Sequence, residues 1–91
     1  MKYFAYEVFF RDQPYHRRFL GYLIYNKTDN IIEGFIKGRT QRQAHERCKL
    51  IMELLAQFNE DIIVWRNWPL ILGKEDIVED VILQKIKEKE I

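Results

Sequence analysis

The sequence predicts one α+β domain in the order β-β-β-α-β-α. Three observations predict it: aromatic and apolar runs before residue 38, a capped amphipathic helix from Thr40 to Phe58, and a short β-branched run followed by a second helical pattern. A mixed sheet ordered 3-2-1-4 with the helices packed on it is the simplest assembly. Ninety-one residues make a single domain, 1–91, whose core is real but small.

The helix anchors the reading. Thr40 is a good N-cap, and Gln43 three residues later completes a capping box. Ala44, Cys48, Ile51, Leu55 and Phe58 recur at helical spacing, and Leu50 and Leu54 widen the stripe. Arg42, Glu46, Lys49, Glu53 and Gln57 occupy the other face, with Met52 as a partly exposed flank. Packing of the stripe must supply most of the stability, since an i,i+4 pair such as Lys49–Glu53 adds only about 0.2–0.5 kcal/mol.

Residues 2–11 are dense in aromatics and apolar on both alternate faces, apart from Glu7. A strand apolar on both faces is central in its sheet. Asp12-Gln13-Pro14 turns the chain into a second strand, 18–25, where Gly21 marks a bulge or a close backbone approach. Residues 26–30 form a polar turn, and 31–37 form a third strand whose Glu33 and Lys37 suit an edge. Residues 61–66 are a fourth strand, expected parallel to the first, and Asn67-Trp68-Pro69 breaks it. Leu70–Leu72 reads equally as loop, short helix or strand extension. Residues 74–90 are the last helix, with Val78, Val81, Ile82 and Ile86 giving its period. Acidic residues at its start and lysines at its end complement its dipole.

Composition excludes several function classes. With one cysteine there is no disulfide framework, and an intracellular home is expected. Cys48 reads as a small buried hydrophobe, with a reactive thiol as the alternative. No apolar run approaches the ~20 residues of a membrane span, and the aromatic N-terminus is not a signal peptide. A serine nucleophile is impossible because the chain has no Ser. The four glycines are scattered, so no phosphate loop is present. His16 and His45 have no close ligand spacing, so neither metal nor cofactor is expected.

Charge is uneven. Residues 1–59 carry ten Lys and Arg against six Asp and Glu, whereas residues 60–91 carry five against eight. The predicted topology brings Arg11, Arg17, Arg18, Lys37, Arg39 and Arg42 to one end of the sheet, where the helix N-terminus adds its partial positive charge. A basic edge with Tyr15 and Trp68 nearby as stacking or partner-contact residues suits a nucleic-acid backbone. Ordinary surface charge is the competing explanation.

The order of elements resembles the first two-thirds of the ribonuclease H-like fold, over residues 3–72. The first strand ends in FFRD, the second contains a glycine in GYLIY, the helix opens TQRQAHE, and the fourth strand reads IVWRN. The resemblance implies two-metal phosphodiester hydrolysis by a set of carboxylates. Carried over, Asp12 matches the first acidic position, but His45 stands where the helix should offer Glu and Asn67 where the fourth strand should end in Asp. One carboxylate, an imidazole and an amide hold Mg²⁺ poorly, so the resemblance implies a degenerate, non-catalytic site. The segment Gly38-Arg39-Thr40, with Ala44 and Cys48 following, is also similar to HicB-type antitoxins, which implies a protein partner. The expected protein is therefore a small non-catalytic binder of nucleic acid, or else a protein-interaction module such as an antitoxin or a small inhibitor. A core this small leaves apolar helix or strand-edge surface to cover, which favours a homodimer.

Overall fold

The computed structural model describes residues 1–59 and 62–90, the side chains of residues 58 and 59 excepted. Its strands are β1 (Lys2–Gln13), β2 (His16–Asn26), β3 (Ile31–Ile36), β4 (Ile62–Trp65) and β5 (Leu70–Leu72). Its helices are α1 (Gln41–Asn59) and α2 (Glu79–Lys89). The mixed sheet runs β3-β2-β1-β4, as the sequence predicts, and β5 also pairs with β1. β1 and β2 are antiparallel, as are β2 and β3, while β4 and β5 both run parallel to β1.

β1 is central because both its faces are buried. Tyr3 and Ala5 point to α1 and meet Ala44, Cys48 and Met52. Phe4, Tyr6 and Val8 point the other way and meet Ile86 of α2. The molecule is thus three layers, with one helix on each face of the sheet.

Leu70–Leu72, which the sequence leaves open, is a strand. β4 pairs with residues 2–5 of β1, and β5 takes over at residues 8–10. Between them the chain leaves the ladder at Arg66–Pro69, where Pro69 has no N–H to donate. The predicted Asp61 at the start of the fourth strand lies outside the described residues.

β2 carries a bulge. Val8 faces Gly21, but Phe9 faces Phe19, so Leu20 is the extra residue. A Cβ on Gly21 would stand 2.5 Å from the Ile36 carbonyl oxygen and 2.9 Å from the Phe35 ring. The glycine is therefore needed for the close approach of β3. A second bulge, at Glu33 of β3, reverses the faces between Ile32 and Gly34.

The Thr40 cap of α1 forms as expected, and Gln43 reaches back one residue beyond the N-cap. The Gln43 backbone N–H donates to the Thr40 hydroxyl at 3.1 Å, while the Gln43 side chain accepts from Arg39 N–H at 2.7 Å. The buried stripe differs from the predicted one. Met52 is 1 % exposed, whereas Ile51, Leu50 and Leu54 are 40, 61 and 55 % exposed. The helix docks through Ala44, Cys48 and Met52, with Leu55 half-buried beside them. Phe58, predicted on the stripe, has no described side chain. Apolar residues cover more than half of the helix circumference, and two side contacts choose the rotation. His45 stacks on Trp65 to one side, and Arg47 donates to the Lys37 carbonyl at 3.1 Å on the other.

The last helix is shorter than residues 74–90. Lys74–Asp76 forms a 3-10 turn, closed by the Asp76 carboxylate accepting from Gly73 N–H at 2.8 Å. Val78 is extended and exposed, and α2 begins after it. No described helix is long and apolar enough to cross a membrane.

Burial pushes the Cys48 thiol up to about 11. A thiol reagent should therefore modify Cys48 only at the rate the chain unfolds. Prompt modification of the native protein would revive the reactive-thiol alternative. Burial also raises Tyr6, Tyr22 and Tyr25. The unfolded chain releases these protons near its ordinary thiol and phenol values, 9.0 and 10.0, before the folded chain does. Stability should therefore hold at neutral pH and fall from about pH 9 upward, as a urea titration at pH 7, 9 and 11 would show.

Candidate nucleic-acid interface

β5 stops opposite Phe10, yet β1 and β2 continue as a two-stranded arm. Residues 11–18 of this arm are all exposed, and Tyr15 at its turn is 97 % exposed. The arm carries Arg11, His16, Arg17 and Arg18, with Asp12 among them. Pleating sends the two neighbouring arginines to opposite faces. The Arg17 guanidinium lies 4.5 Å above the Phe9 ring, on the α1 side. Arg18 is paired with Phe10 and borders an apolar groove on the α2 side.

The six predicted basic residues do share one end of the sheet, but they divide into two groups. β3 ends opposite Tyr22, four residues before Arg18 is reached along β2, a step of about 13 Å at strand rise. Lys37, Arg39 and Arg42 therefore form a shoulder below the arm. Lys37 places its ammonium 5.8 Å over the Phe35 ring, on the groove side. Arg42 is engaged with Glu46 at 3.4 Å in a highly exposed pair that screening leaves weak. Arg11, Arg17 and Arg18 on the arm make no ion pair shown among the described residues, and Arg11 shares a cavity with Asp12, Glu75 and Asp76.

The three positions of the implied degenerate active site do not gather. His45 and Asn67 line one cavity of about 260 Å³, together with Glu7, Tyr22 and Trp65. Asp12 is elsewhere, on the arm beside His16, Arg17 and Arg18. The carboxylate that stands with His45 and Asn67 is Glu7. Parallel pairing explains it: Trp65 is opposite Ala5 and Arg66 N–H donates to the Ala5 carbonyl at 2.9 Å, so the chain leaves β4 beside residue 7. A lone acid in an otherwise apolar strand was the sequence signal for Glu7. It became readable only with the β1–β4 register. No cluster of three metal-binding side chains occurs among the described residues.

The two tryptophans lie in different environments. Trp68, predicted as a stacking residue, packs against the core on the α2 side. Trp65 is 36 % exposed and lies 4.8 Å from the His45 ring, with Tyr22 edge-on at 5.9 Å. The reason is strand alternation around the break: Trp65 shares the face of Ala5, and the excursion at Asn67 turns Trp68 to the other side. The Tyr22 hydroxyl keeps its proton chiefly through burial, against a smaller opposing pull from Gln41, and also through nearby Glu7. The result is an aromatic shelf at the carboxyl end of β4, beside the middle of β1 and next to the amino end of α1.

Comparison of the chain with protein-family models, curated proteins and solved structures returned no match.

Proposed function

We propose that the chain is a small non-catalytic binding protein that takes the sugar–phosphate backbone of a nucleic acid on its β1–β2 arm. The observation that carries this is the exposed arm itself, with Arg11, Arg17 and Arg18 on a ribbon that buries nothing of its own beyond Phe10. The exposed Trp65–His45 pair supplies a surface on which a base can stack. Lys37, Arg39 and Arg42 on the shoulder extend the positive surface, and Tyr15 at the tip adds a second aromatic contact.

The ribonuclease H-like reading is supported by the sheet order and by α1 leading to a parallel β4. The presence of Glu7, His45 and Asn67 around one cavity at the carboxyl end of β4 supports it too. One carboxylate with an imidazole and an amide remains a poor magnesium site, so hydrolysis is not part of the proposal.

Three phosphate contacts from the arm give a salt slope of about −2.7 on duplex and roughly −2.1 on a single strand. Replacing Arg17 and Arg18 together by Ala should lower affinity and reduce the duplex slope by about two units, with little dependence on sequence. A titration of labelled strands at several salt concentrations measures both. The same samples with Mg²⁺ or Mn²⁺ should leave an RNA–DNA hybrid uncut. Absence of binding even at low salt removes the nucleic-acid reading and leaves the antitoxin- or inhibitor-type protein module.

A further inference from the structure

We propose that the free edge of β3 is a homodimer interface, where a second copy of this chain joins about a two-fold axis, β3 antiparallel to β3, and continues the sheet. Eleven large apolar side chains are exposed among the described residues, and seven of them surround this edge. Ile31 and Phe35 belong to β3 itself. Ile77 and Val78 lead into α2 on one face of the sheet, and Leu50, Ile51 and Leu54 lie along α1 on the other.

The placement of the α1 residues follows from the helix rotation. Arg47 reaches the Lys37 carbonyl just past β3, and residues 50, 51 and 54 share its flank at i+3, i+4 and i+7. His45, on the opposite flank, touches β4 through Trp65. The exposed stripe therefore faces outward beyond β3.

On the other face a groove of about 580 Å³ opens beside the same strand. Leu20, Leu23, Ile32 and Phe35 form its floor, and Ile77 and Ile82 form one wall. Among the described residues no strand stands beyond β3 to close it.

β3 carries a single one of the charges that usually keep an edge unpaired, and Lys37 follows just past its end. Glu33 is its one charged residue, exposed at the edge, and its carboxylate accepts from the Asn26 amide at 3.0 Å. The strand contains neither Pro nor Lys.

A second copy paired through β3 about a two-fold axis sets groove beside groove and α1 flank beside α1 flank. The axis perpendicular to the sheet keeps both grooves on one face and both α1 flanks on the other. Seven side chains 40–69 % exposed, divided between the two faces at this edge, together present apolar surface on the order of 600 Å², against the about 800 Å² per partner of a standard interface. Pairing reverses strand direction across the axis, so the two basic arms would project from opposite ends of the dimer. The interface itself does not depend on what the arms bind.

Sedimentation velocity without nucleic acid, from roughly 1 to 300 µM protein, tests the proposal. A concentration-dependent dimer is expected, and its thermal midpoint should rise with concentration. Phe35→Glu and Leu54→Glu, on opposite faces, should each weaken dimerisation by about tenfold or more while the far-ultraviolet dichroism stays unchanged. Tyr15→Glu at the arm tip should leave it intact. Ile77→Asp, on an exposed connection, replaces Phe35→Glu if that variant does not fold. A monomer over the whole range overturns the proposal, and binding of an apolar dye to such a monomer would assign the groove to a different occupant. A dimer indifferent to the edge variants on both faces overturns it as well.

Discussion

Glu90→Ala is expected to lower the stability of the fold by about 3–5 kcal/mol. The Glu90 carboxylate, 5 % exposed, accepts from the Arg66 guanidinium and from the Tyr6 hydroxyl. Arg66 is itself enclosed, 3.8 Å from the Phe4 ring and 5.1 Å from the Trp68 ring. Removing the carboxylate strands a buried cation and a buried hydroxyl together, which is why the effect is large. Arg66→Ala should cost a similar amount by stranding the carboxylate instead. Replacing both at once, Arg66→Met with Glu90→Leu, should cost far less, because no charge is left unpaired. Urea midpoints of the two single variants and the double variant separate these cases. A loss under about 1 kcal/mol for Glu90→Ala would mean that the pair behaves as a solvated one. The network joins residues far apart in sequence, so it also decides whether the end of α2 is held to the chain leaving β4.

Met52→Asp should unfold the chain or destabilise it by several kcal/mol, whereas Leu54→Asp should change monomer stability by about 0.5 kcal/mol or less. Met52 is fully enclosed among Tyr3, Ala5, Tyr22 and Ile24, so an aspartate there is an unpaired buried charge. Leu54 is 55 % exposed and its replacement meets water. Thermal melts at low protein concentration, where a dimer contributes little, make the comparison. Equal losses at the two positions would mean that α1 docks with the rotation its apolar count first suggests.

That pair of residues shows why the helix could be read from sequence and its docking could not. Thr40 and Gln43 determine where α1 starts through bonds made within a few residues, and these can be read locally. Its apolar positions span too wide an arc to single out one buried line. The choice of Met52 over Leu54 is made by the contacts of His45 with Trp65 and of Arg47 with Lys37, which exist only after β3 and β4 are in place.

The same division runs through the candidate site. The positive charge of residues 1–59 is visible in the composition, but its partition between arm and shoulder follows from β3 ending opposite Tyr22 while β2 runs on to His16. His45 and Asn67 were legible as neighbours. Their carboxylate partner was not, because Glu7 and Asp12 are equally acidic in sequence and only the register of β4 against β1 selects Glu7.

By itself the sequence determined strands β1 to β4 and helix α1, the central position of β1, and the order β3-β2-β1-β4, while it left β5 open and began the last helix too early. These follow from periodicity, capping and burial on both faces of one strand, all of which act over short stretches of chain. The tertiary structure alone decided the helix rotation, the opposite exposures of Trp65 and Trp68, the cavity around Glu7, and the ion pair of Arg66 with Glu90. Each of these depends on contacts between residues distant in sequence, and a one-residue change of register or a small rotation of a helix would have exchanged them.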